Sequence, residues 1–409
     1  MKIIRIPGSK SIIIRLMIIA TYLKKEISFS NWSDCSDVLT MENALKTIGF
    51  QINKDNSEVK ISPLVSFHEG KTIQIKDSAT AVRFLFSRLA TIEKDFDLIL
   101  STQLNKRPHF NLIKHLNKNG GDLKRYNNHY KIIGKKYLNG GTINIDSSIS
   151  SQFISSLLLI APSYKNDLEL HLKNKTISQS YIKMTISIME KFGIKIKSED
   201  NIIYVKKNQI YSDLMKFFVE PDFSSIAFFF VLAVLKINEG VFIQKLAQPS
   251  IQGDFNIIEI LKNMNAEYIE KDKLFGFKKS TLKGISLDMS DNPDLVPILT
   301  IAALFARGKT EFKNISHLKY KESDRIKSLI LELNKIGAEI YFRKNSLIVI
   351  PKEKYKPCLL ETYDDHRICM SFSILKEVVP GIELSEIKSV KKSFPEFFDI
   401  LHYITDINK

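Results

Sequence analysis

Apolar and polar residues follow a pattern that repeats about every 70 residues along the chain. Each repeat has an apolar-periodic segment typical of an amphipathic helix, then a glycine or asparagine, then a short strand-like segment. Gly and Asn readily adopt the left-handed backbone conformation that ends many helices, so these residues predict helix C-termini. The predicted ends lie at Gly49, Gly120, Gly193, Asn265 and Gly337.

The predicted helix starts keep the same spacing as the predicted ends. Six segments with Ser, Thr or Asp directly precede apolar runs, and the side-chain oxygens of these residues favour helix N-caps. Each repeat therefore predicts strand, helix, strand, helix and two strands, with the sixth repeat truncated near 394–401. Six such repeats predict an α/β protein. The starts lie at residues 7–11, 76–80, 147–152, 220–225, 290–294 and 363–367.

A length of 409 residues exceeds one ordinary hydrophobic core and suits two domains. Three repeats in each domain predict one domain of residues 9–219 and a second of residues 1–8 with 220–409. The longest apolar run, 226–235, is too short to span a bilayer and predicts a buried helix. No segment has the pattern of a signal peptide.

The formal charge of +15 has three competing explanations. The basic residues could neutralise nucleic-acid phosphates, bind small anionic substrates, or reflect compositional drift in a chain rich in Lys, Ile and Asn. They are scattered, which favours drift, and aromatic residues do not interleave with them as on single-strand binding surfaces. The three cysteines lack CxxC spacing, so the sequence predicts neither disulfides nor a zinc site and is typical of the reducing cytoplasm.

The unusual polar residues lie near the predicted helix starts, where free N–H groups and a partial positive charge suit phosphates and carboxylates. In the first repeat Lys10 and Ser11 open a helix after Gly8. Arg15 follows Ser11 by one turn on the same helix face. Considered within this segment alone, Arg15 is best explained as a side chain that snorkels from an apolar run to solvent.

Further polar residues occur at the starts of the second and third repeats. Thr80 and Arg83 lie on one predicted helix face, and Arg107 with Pro108 is expected to open another helix. The third repeat has a polar set that is typical of ordinary helix caps when no other context is considered. This set is Ser150, Ser151, Gln152, Ser178 and Tyr181.

The last two repeats contain the most concentrated charge. Asp294 is expected to open an apolar helix. Downstream, Lys321 and Arg325 are expected to lie one helical turn apart with Glu322 beside them. In isolation such a group is typical of a solvated helix face. The sixth repeat adds the charged segments DDHR at 364–367 and KKSFP at 391–395.

In this order the segments resemble the enolpyruvyl transferase family, in particular the 5-enolpyruvylshikimate-3-phosphate synthases. The resemblance extends from about residue 7 to about residue 398 and is in register with the repeats. It implies a two-domain inside-out α/β barrel with three βαβαββ-type repeats in each domain. Each motif alone is weak, whereas the ordered combination is specific. The motifs are PGSKSIIIR, KRP, SSQF, PD, KESDR, DDHR and KKSFP.

The resemblance also implies the reaction. Family members transfer the enolpyruvyl group of phosphoenolpyruvate to the 5-hydroxyl of shikimate 3-phosphate and release phosphate, in the shikimate pathway to chorismate and the aromatic amino acids. No metal or organic cofactor is implied. The expected partners are these two small molecules, without nucleic acid or membrane, and a monomer is expected. Domain 9–219 is expected to carry most shikimate 3-phosphate contacts, and the other domain the catalytic carboxylates and most phosphoenolpyruvate-binding cations.

By position, the family's roles fall on three overlapping sets of residues. The catalytic set is Asp294 as base at the hydroxyl, Glu322 as acid near C3, and Lys10 or Lys392 sharing the proton transfers. The set implied for shikimate 3-phosphate is Lys10, Ser11, Arg15, Ser150, Ser151, Gln152, Ser178, Tyr181, Asp294, Asn314 and Lys321. The set implied for phosphoenolpyruvate is Lys10, Ala79, Arg107, Gln152, Arg325, Arg367 and Lys392.

The second repeat departs from the family pattern. The usual Asn-Ala-Gly-Thr loop reads Asp77-Ser78-Ala79-Thr80 here. Asp77 adds a negative charge near the implied anion site, and Ala79 adds a methyl group where phosphoenolpyruvate and its competitor glyphosate bind in the family. Glyphosate is the longer ligand and should lose more affinity, because close-packed sites do not accept an extra methyl without strain.

Other functions fit the residues less well. The sister enzymes that act on UDP-N-acetylglucosamine carry a cysteine in the second repeat, and residues 84–107 contain none. A drifted, inactive scaffold would account for Asp77 and Ala79, but the retained cations and carboxylates disfavour it. Nucleic-acid binding rests on net charge alone.

Overall fold

The computed structural model describes residues 1–55 and 58–406. The last three residues of the expected second domain, 407–409, lie outside this described part, as do residues 56–57. The chain divides into two compact units. The N-terminal unit is Gly8–Glu220, and the C-terminal unit combines Met1–Pro7 with the residues from Pro221 onward. The expected domain boundaries at residues 9 and 219 lie within one residue of this division.

The chain opens with β1 (Lys2–Ile3), which belongs to the C-terminal unit, and then builds the N-terminal unit. The helices of the N-terminal unit are α1 (Lys10–Ala20), α2 (Ser36–Thr47), α3 (Ala79–Leu89), α4 (Thr102–Asn105), α5 (Phe110–Lys118), α6 (Ser151–Leu159) and α7 (Gln179–Lys191), with a 3-10 turn at Ala161–Ser163. Its strands are β2 (Ile27–Ser30), β3 (Ile52–Asp55), β4 (Glu58–Ile61), β5 (Lys71–Ile75), β6 (Asp95–Leu100), β7 (Asp122–Tyr126), β8 (His129–Ile133), β9 (Gly141–Asp146), β10 (Leu168–Lys173), β11 (Ile196–Glu199), β12 (Ile202–Val205) and β13 (Lys216–Phe218).

The C-terminal unit contains the remaining elements of the described chain. Its helices are α8 (Phe223–Lys236), α9 (Ile257–Asn263), α10 (Val296–Leu304), α11 (Arg325–Lys335), α12 (His366–Val378) and α13 (Phe397–Thr405), with 3-10 turns at Gly253–Asn256, Pro293–Leu295, Ser316–Tyr320 and Lys388–Lys392. Its further strands are β14 (Val241–Gln244), β15 (Glu267–Lys271), β16 (Leu274–Lys278), β17 (Ser286–Asp288), β18 (Thr310–Lys313), β19 (Glu339–Arg343), β20 (Ser346–Ile350), β21 (Leu359–Leu360) and β22 (Glu383–Leu384).

The repeats appear as small sheets of one common design. In the N-terminal unit the strand orders are β13-β2-β4-β3, β5-β6-β8-β7 and β9-β10-β12-β11. In the C-terminal unit they are β1-β14-β16-β15 and β17-β18-β20-β19, with the short pair β21-β22 in the truncated sixth repeat. The first two strands of each sheet are parallel, and in the four-stranded sheets the other two pair antiparallel. A parallel pair needs a crossover, which explains the helix between the first two strands in the four sheets where these strands are consecutive in the chain.

Two sheets take their first strand from a distant part of the chain. Strand β13, at the end of the N-terminal unit, completes the sheet of the first repeat, and β1 completes the first sheet of the C-terminal unit. The chain passes between the units at Pro7/Gly8 and again at Glu220/Pro221. Gly8 is required at the first passage, because a Cβ atom there would lie 2.0 Å from the carbonyl oxygen of Asn31.

Most of the helix signals read from the sequence are confirmed. The predicted helix-end residues all have positive φ, from 68° at Asn265 to 113° at Gly49. Four of the six predicted starts carry N-caps whose side chains accept backbone N–H groups, such as Ser78 for α3 and Asp222 for α8. Within the described chain, the starts at 7–11 and 290–294 have no side-chain cap bond. The apolar run 226–235 lies in α8, whose residues are almost all buried. In the part of the chain that the structure describes, no helix has the length and apolarity to cross a bilayer.

Two local predictions are wrong. Pro108 does not open a helix, because α5 begins at Phe110 with His109 as its N-cap. Lys321 and Arg325 do not share a helix, since α11 begins at Arg325 and Lys321 follows the turn Ser316–Tyr320. Asp324 caps α11 by accepting the Lys327 N–H, which fixes the helix start later than the charge pattern suggested.

Candidate active site

Arg15 lies on α1 and is 1% exposed, so it does not snorkel to solvent. Its Nε donates to Thr185 Oγ1 at 2.7 Å, and its Nη1 donates to the Ser11 carbonyl oxygen at 2.7 Å. Nη2 lies 3.4 Å from Ser155 Oγ and 3.3 Å from the Tyr181 carbonyl oxygen. Among the described residues no carboxylate pairs with Arg15, and burial lowers its pKa to about 10.

The second polar group of the N-terminal unit joins the starts of α3 and α6. Arg83 Nη1 donates to Gln152 Oε1 at 2.5 Å and to Ser150 Oγ at 3.3 Å. Gln152 Nε2 in turn donates to Thr80 Oγ1 at 3.0 Å. The predicted common face of Thr80 and Arg83 is therefore confirmed, and Gln152 contacts both of these side chains from α6.

Lys10 is the first residue of α1, and its Nζ lies 2.6 Å from Asp37 Oδ2. Asp37 is in the first turn of α2, and its side chain is only 7% exposed. The pair therefore fixes the lysine at the start of its helix. The sequence did not single out Asp37, because an acidic residue in a first helical turn is ordinary.

The remaining candidates of the N-terminal unit also lie at helix starts, with one exception. Ser151 and Ala79 are the first residues of α6 and α3. Ser178 is the N-cap of α7 and has φ 52°, an unusual left-handed conformation for serine. The exception is Arg107, which is half-buried in the turn between α4 and α5.

The C-terminal unit contains a network of carboxylates and cations centred on Arg325. This side chain is 1% exposed and contacts three carboxylates: Nη1 to Asp294 Oδ1 at 2.8 Å, Nη2 to Glu322 Oε2 at 2.9 Å and Nε to Asp365 Oδ2 at 2.9 Å. Burial opposes its charge, but Asp365, Glu322 and Asp294 outweigh this effect and raise the pKa of Arg325. Asp365 is fully buried and also caps α12 by accepting the Arg367 N–H.

Asp294 contacts three cations of the network. Besides Arg325, its Oδ1 lies 3.3 Å from Lys321 Nζ, and its Oδ2 lies 3.4 Å from Arg367 Nη2. Arg367 Nη1 also donates to the Asp294 carbonyl oxygen at 3.3 Å. The Asp294 side chain keeps 11% of its surface exposed, so it is not completely enclosed.

Two lysines complete this network. Lys392 Nζ lies 4.0 Å from Glu322 Oε1, and both side chains keep about one sixth of their surface exposed, 17% and 16%. Burial lowers the pKa of Lys321, an effect that Asp294 partly offsets. Lys321 thus lies in a setting where burial opposes its charge and a carboxylate supports it.

Asp254 is a further buried carboxylate beside the network. It lies in the turn Gly253–Asn256, accepts a hydrogen bond from Ser224 Oγ, and lies 3.5 Å from Asn292 Nδ2. Burial and then the charge of Asp294 raise the pKa of Asp254 to about 6. Sequence reasoning missed it, because QGD between two predicted elements has no distinctive spacing.

The predicted residues of the C-terminal unit meet in one network, whereas those of the N-terminal unit with described contacts fall into three groups, around Arg15, Gln152 and Lys10. Asn314 is outside them: its Nδ2 donates to Asp288 at 2.6 Å and its Oδ1 accepts from Asn345. Sequence reasoning left out Asp365 and Thr185, which orient Arg325 and Arg15. A signal existed for each, an N-cap aspartate before Arg367 and a threonine one turn beyond Tyr181.

The fold class follows from solved structures. An EPSP synthase from Acinetobacter baumannii superposes with a TM-score of 0.83 at 24% identity, over 98% of this chain and 95% of that one. A second structure of an EPSP synthase from the same organism gives a TM-score of 0.82. These likenesses confirm the predicted two-domain inside-out α/β class.

Sequence comparison identifies the family within this class. The chain is 34% identical to the 3-phosphoshikimate 1-carboxyvinyltransferase of Buchnera aphidicola subsp. Cinara cedri, over 99% of the chain and 96% of the relative. It is 30% identical to the protein of that name from Pseudoalteromonas translucida, over 98% and 96%. A family model described as EPSP synthase (3-phosphoshikimate 1-carboxyvinyltransferase) matches residues 1–401. The chain belongs to the EPSP synthase family, which confirms the predicted enzyme class, a transferase of the shikimate pathway.

Proposed function

We propose that this chain joins phosphoenolpyruvate to shikimate 3-phosphate. The chemistry is assigned to the network around Arg325 in the C-terminal unit. Binding of the acceptor is assigned to the cations and hydroxyl groups of the N-terminal unit. The 5-hydroxyl of shikimate 3-phosphate attacks C2 of phosphoenolpyruvate while C3 gains a proton. The tetrahedral intermediate then loses phosphate and a C3 proton, which leaves the enol ether. Family membership supports the reaction, and the geometry supports the assignment of roles.

One observation carries these roles: Asp294 and Glu322 share the guanidinium of Arg325. Two carboxylates held 2.8 and 2.9 Å from one buried cation keep a fixed separation. Asp294 takes the proton of the attacking hydroxyl, and Glu322 serves C3. Lys392, beside Glu322, exchanges that proton or balances its charge. Acid–base groups of this kind contribute about 10²–10⁴-fold each.

The cations of the network bind the anionic donor. Arg367 and Arg325 present planar guanidinium groups, whose forked donors match carboxylate and phosphate geometry. The set proposed for phosphoenolpyruvate also includes Arg107, Lys10 and Ala79, the first residue of α3. Ala79 contributes through its place in the first turn of a helix, where backbone N–H groups point toward an anion.

The acceptor is assigned to the N-terminal unit. Arg15, Ser11 and the serines at the starts of α6 and α7 supply one buried cation and several hydroxyl donors. Gln152 accepts from Arg83 and donates to Thr80. These two bonds fix the direction of the second N–H of its amide. Such a set suits a phosphorylated, polyhydroxylated small molecule better than an extended polymer.

The decisive assay measures phosphate release from purified protein supplied with phosphoenolpyruvate, with and without shikimate 3-phosphate. We expect release only when both substrates are present, together with a product whose mass is that of the enolpyruvyl ether. Release driven by UDP-N-acetylglucosamine instead would assign the protein to the sister activity. No release with either acceptor would contradict the proposed function.

We also propose that the enzyme acts as a monomer in the cytoplasm without a metal or organic cofactor, and without nucleic acid or membrane as partner. Light scattering should give a mass near 47.0 kDa. A chelator should leave the rate unchanged. A mass of twice that value, or chelator-sensitive activity, would require a different description.

A further inference from the structure

Arg15 is anchored at all three of its nitrogens. The acceptors are Thr185 Oγ1 for Nε, the Ser11 carbonyl for Nη1, and the Tyr181 carbonyl with Ser155 Oγ for Nη2. A guanidinium has five N–H donors, and four acceptors lie within reach among the described residues. Nη1 carries two of the five donors and has one acceptor. The donor left over is therefore on Nη1, beside the Ser11 carbonyl near the start of α1.

Thr185 accepts the hydrogen bond from Nε of the Arg15 guanidinium. Its side chain is fully buried on α7, and among the described residues its hydroxyl is the acceptor that Arg15 Nε reaches, at 2.7 Å. The hydroxyl proton has two acceptors, the Tyr181 carbonyl and Ser155 Oγ, each at 2.8 Å. Because its proton is committed to α6 or α7, the Thr185 oxygen must offer a lone pair to Arg15.

The anchoring of Nε determines where the last donor points. The guanidinium is planar. Hydrogen bonds at both Nε and Nη1 therefore fix the orientation of the whole group. The rings of Phe84 and Tyr181 lie 5.3 and 5.9 Å from the guanidinium carbon and pack around it. With no carboxylate partner in the described chain, the buried charge of Arg15 is left to be neutralised by a bound anion.

We propose that Thr185 is a positioning residue for acceptor binding: its hydroxyl holds the Arg15 guanidinium in the orientation in which Nη1 binds an anionic group of shikimate 3-phosphate. The identity of the ligand rests on the function proposed above, whereas the anchoring of Arg15 does not. Removal of the hydroxyl frees Nε, and the guanidinium then loses its preset orientation before the ligand arrives.

The test compares Thr185→Val with two matched variants. Thr185→Ser keeps the hydroxyl and should restore binding. Thr300→Val removes a hydroxyl from an equally buried helix position in the other unit, where Thr300 donates to the Val296 carbonyl four residues earlier. Thr185→Val should raise both the KM and the directly measured Kd for shikimate 3-phosphate by about 3–10-fold. It should change kcat and the KM for phosphoenolpyruvate by less than about twofold.

A double-mutant cycle separates positioning from general damage to the core. In the Arg15→Lys background no Nε–H exists, so adding Thr185→Val should cost much less binding than it does in the parent. Equal costs in both backgrounds would overturn the proposal. So would unchanged shikimate 3-phosphate affinity in a folded Thr185→Val protein, or a loss of the same size in Thr300→Val.

An NMR measurement keeps the proposal independent of the ligand. The Arg15 Nε–H signal should be protected from exchange in the parent and in Thr185→Ser, and exposed to exchange in Thr185→Val. Undiminished protection in Thr185→Val would overturn the positioning role whatever the protein binds. Failure of the parent to bind shikimate 3-phosphate, with protection lost as expected, would instead contradict the proposed ligand and function.

Discussion

The two units share a repeat design but surround their buried arginines with opposite partners. In the N-terminal unit, Arg15 and Arg88 contact hydroxyl and carbonyl oxygens, and burial lowers the pKa of both. In the C-terminal unit, Arg325 contacts three carboxylates that raise its pKa against the effect of burial. Lys10 with Asp37 is an exception in the N-terminal unit, at the start of α1.

This difference supports the proposed division of binding and chemistry between the two units. A cation with neutral partners keeps an uncompensated charge, so it gains most when an anion binds. A cation already paired with several carboxylates gains less, but it fixes those carboxylates for proton transfer. On the function proposed above, the same scaffold would supply an anion receptor in one unit and an acid–base centre in the other, by the choice of residues at its helix starts.

The largest expected effect is on catalysis at Asp294. Asp294→Asn keeps the size of the side chain and an acceptor for Arg325 but removes the base, so kcat should fall by about 10²–10⁴-fold. The Kd for shikimate 3-phosphate should change far less, as measured by calorimetry. Asp272→Asn, in an exposed turn of the same unit, serves as control. A parallel loss of affinity and kcat would assign Asp294 to binding.

The second prediction concerns the stability of the ligand-free protein. Arg325→Met leaves three carboxylates without their central cation and should cost about 3–5 kcal/mol. Arg15→Met removes a desolvated charge whose partners are neutral, so it should cost less than half as much. Thermal unfolding of both variants and the parent gives the comparison. Equal losses would show that the two arginines are compensated alike.

The third prediction concerns Ala79, the first residue of α3. Ala79→Gly should tighten inhibition by glyphosate about tenfold, because it removes the methyl that disfavours the longer ligand. The KM for phosphoenolpyruvate should change less. Steady-state inhibition with phosphoenolpyruvate varied measures both constants. Tight inhibition of the parent that the substitution leaves unchanged would refute the steric explanation.

The smallest expected effect is at Asp254. Its pKa, raised to about 6, means that between roughly pH 4 and pH 6 the folded state binds more protons than the unfolded state. Its contribution to stability therefore falls as the pH rises through this window. Asp254→Asn should be more stable than the parent by about 1–2 kcal/mol at pH 7, and this gain should vanish near pH 4. A gain that is constant with pH would exclude titration of Asp254 as its cause.

Local signals in the sequence predicted the helix ends, the helix starts and most residues gathered at them, because capping depends on neighbouring residues. The partners of the charged residues were harder to predict. Asp365 resembles an ordinary N-cap, and its partner Arg325 lies 40 residues earlier in the chain. The KESDR segment suggested one continuous helix face, whereas Asp324 is the N-cap and the helix begins only at Arg325. Pairing of β13 with β2 is equally long-range and has no local pattern.

The two sheets that take their first strand from a distant part of the chain have a consequence for synthesis on the ribosome. The N-terminal unit can close its first sheet only after β13 has emerged, so most of that unit must be made before its fold is complete. The first residues wait longer, because Lys2 and Ile3 pair with Val241 and Phe242, while Ile4 and Ile6 enter the C-terminal core. The opening segment of the nascent chain is therefore among the first made and the last to find its neighbours. A gene cut between residues 220 and 221 would divide the two units and leave the second without the strand that covers β14.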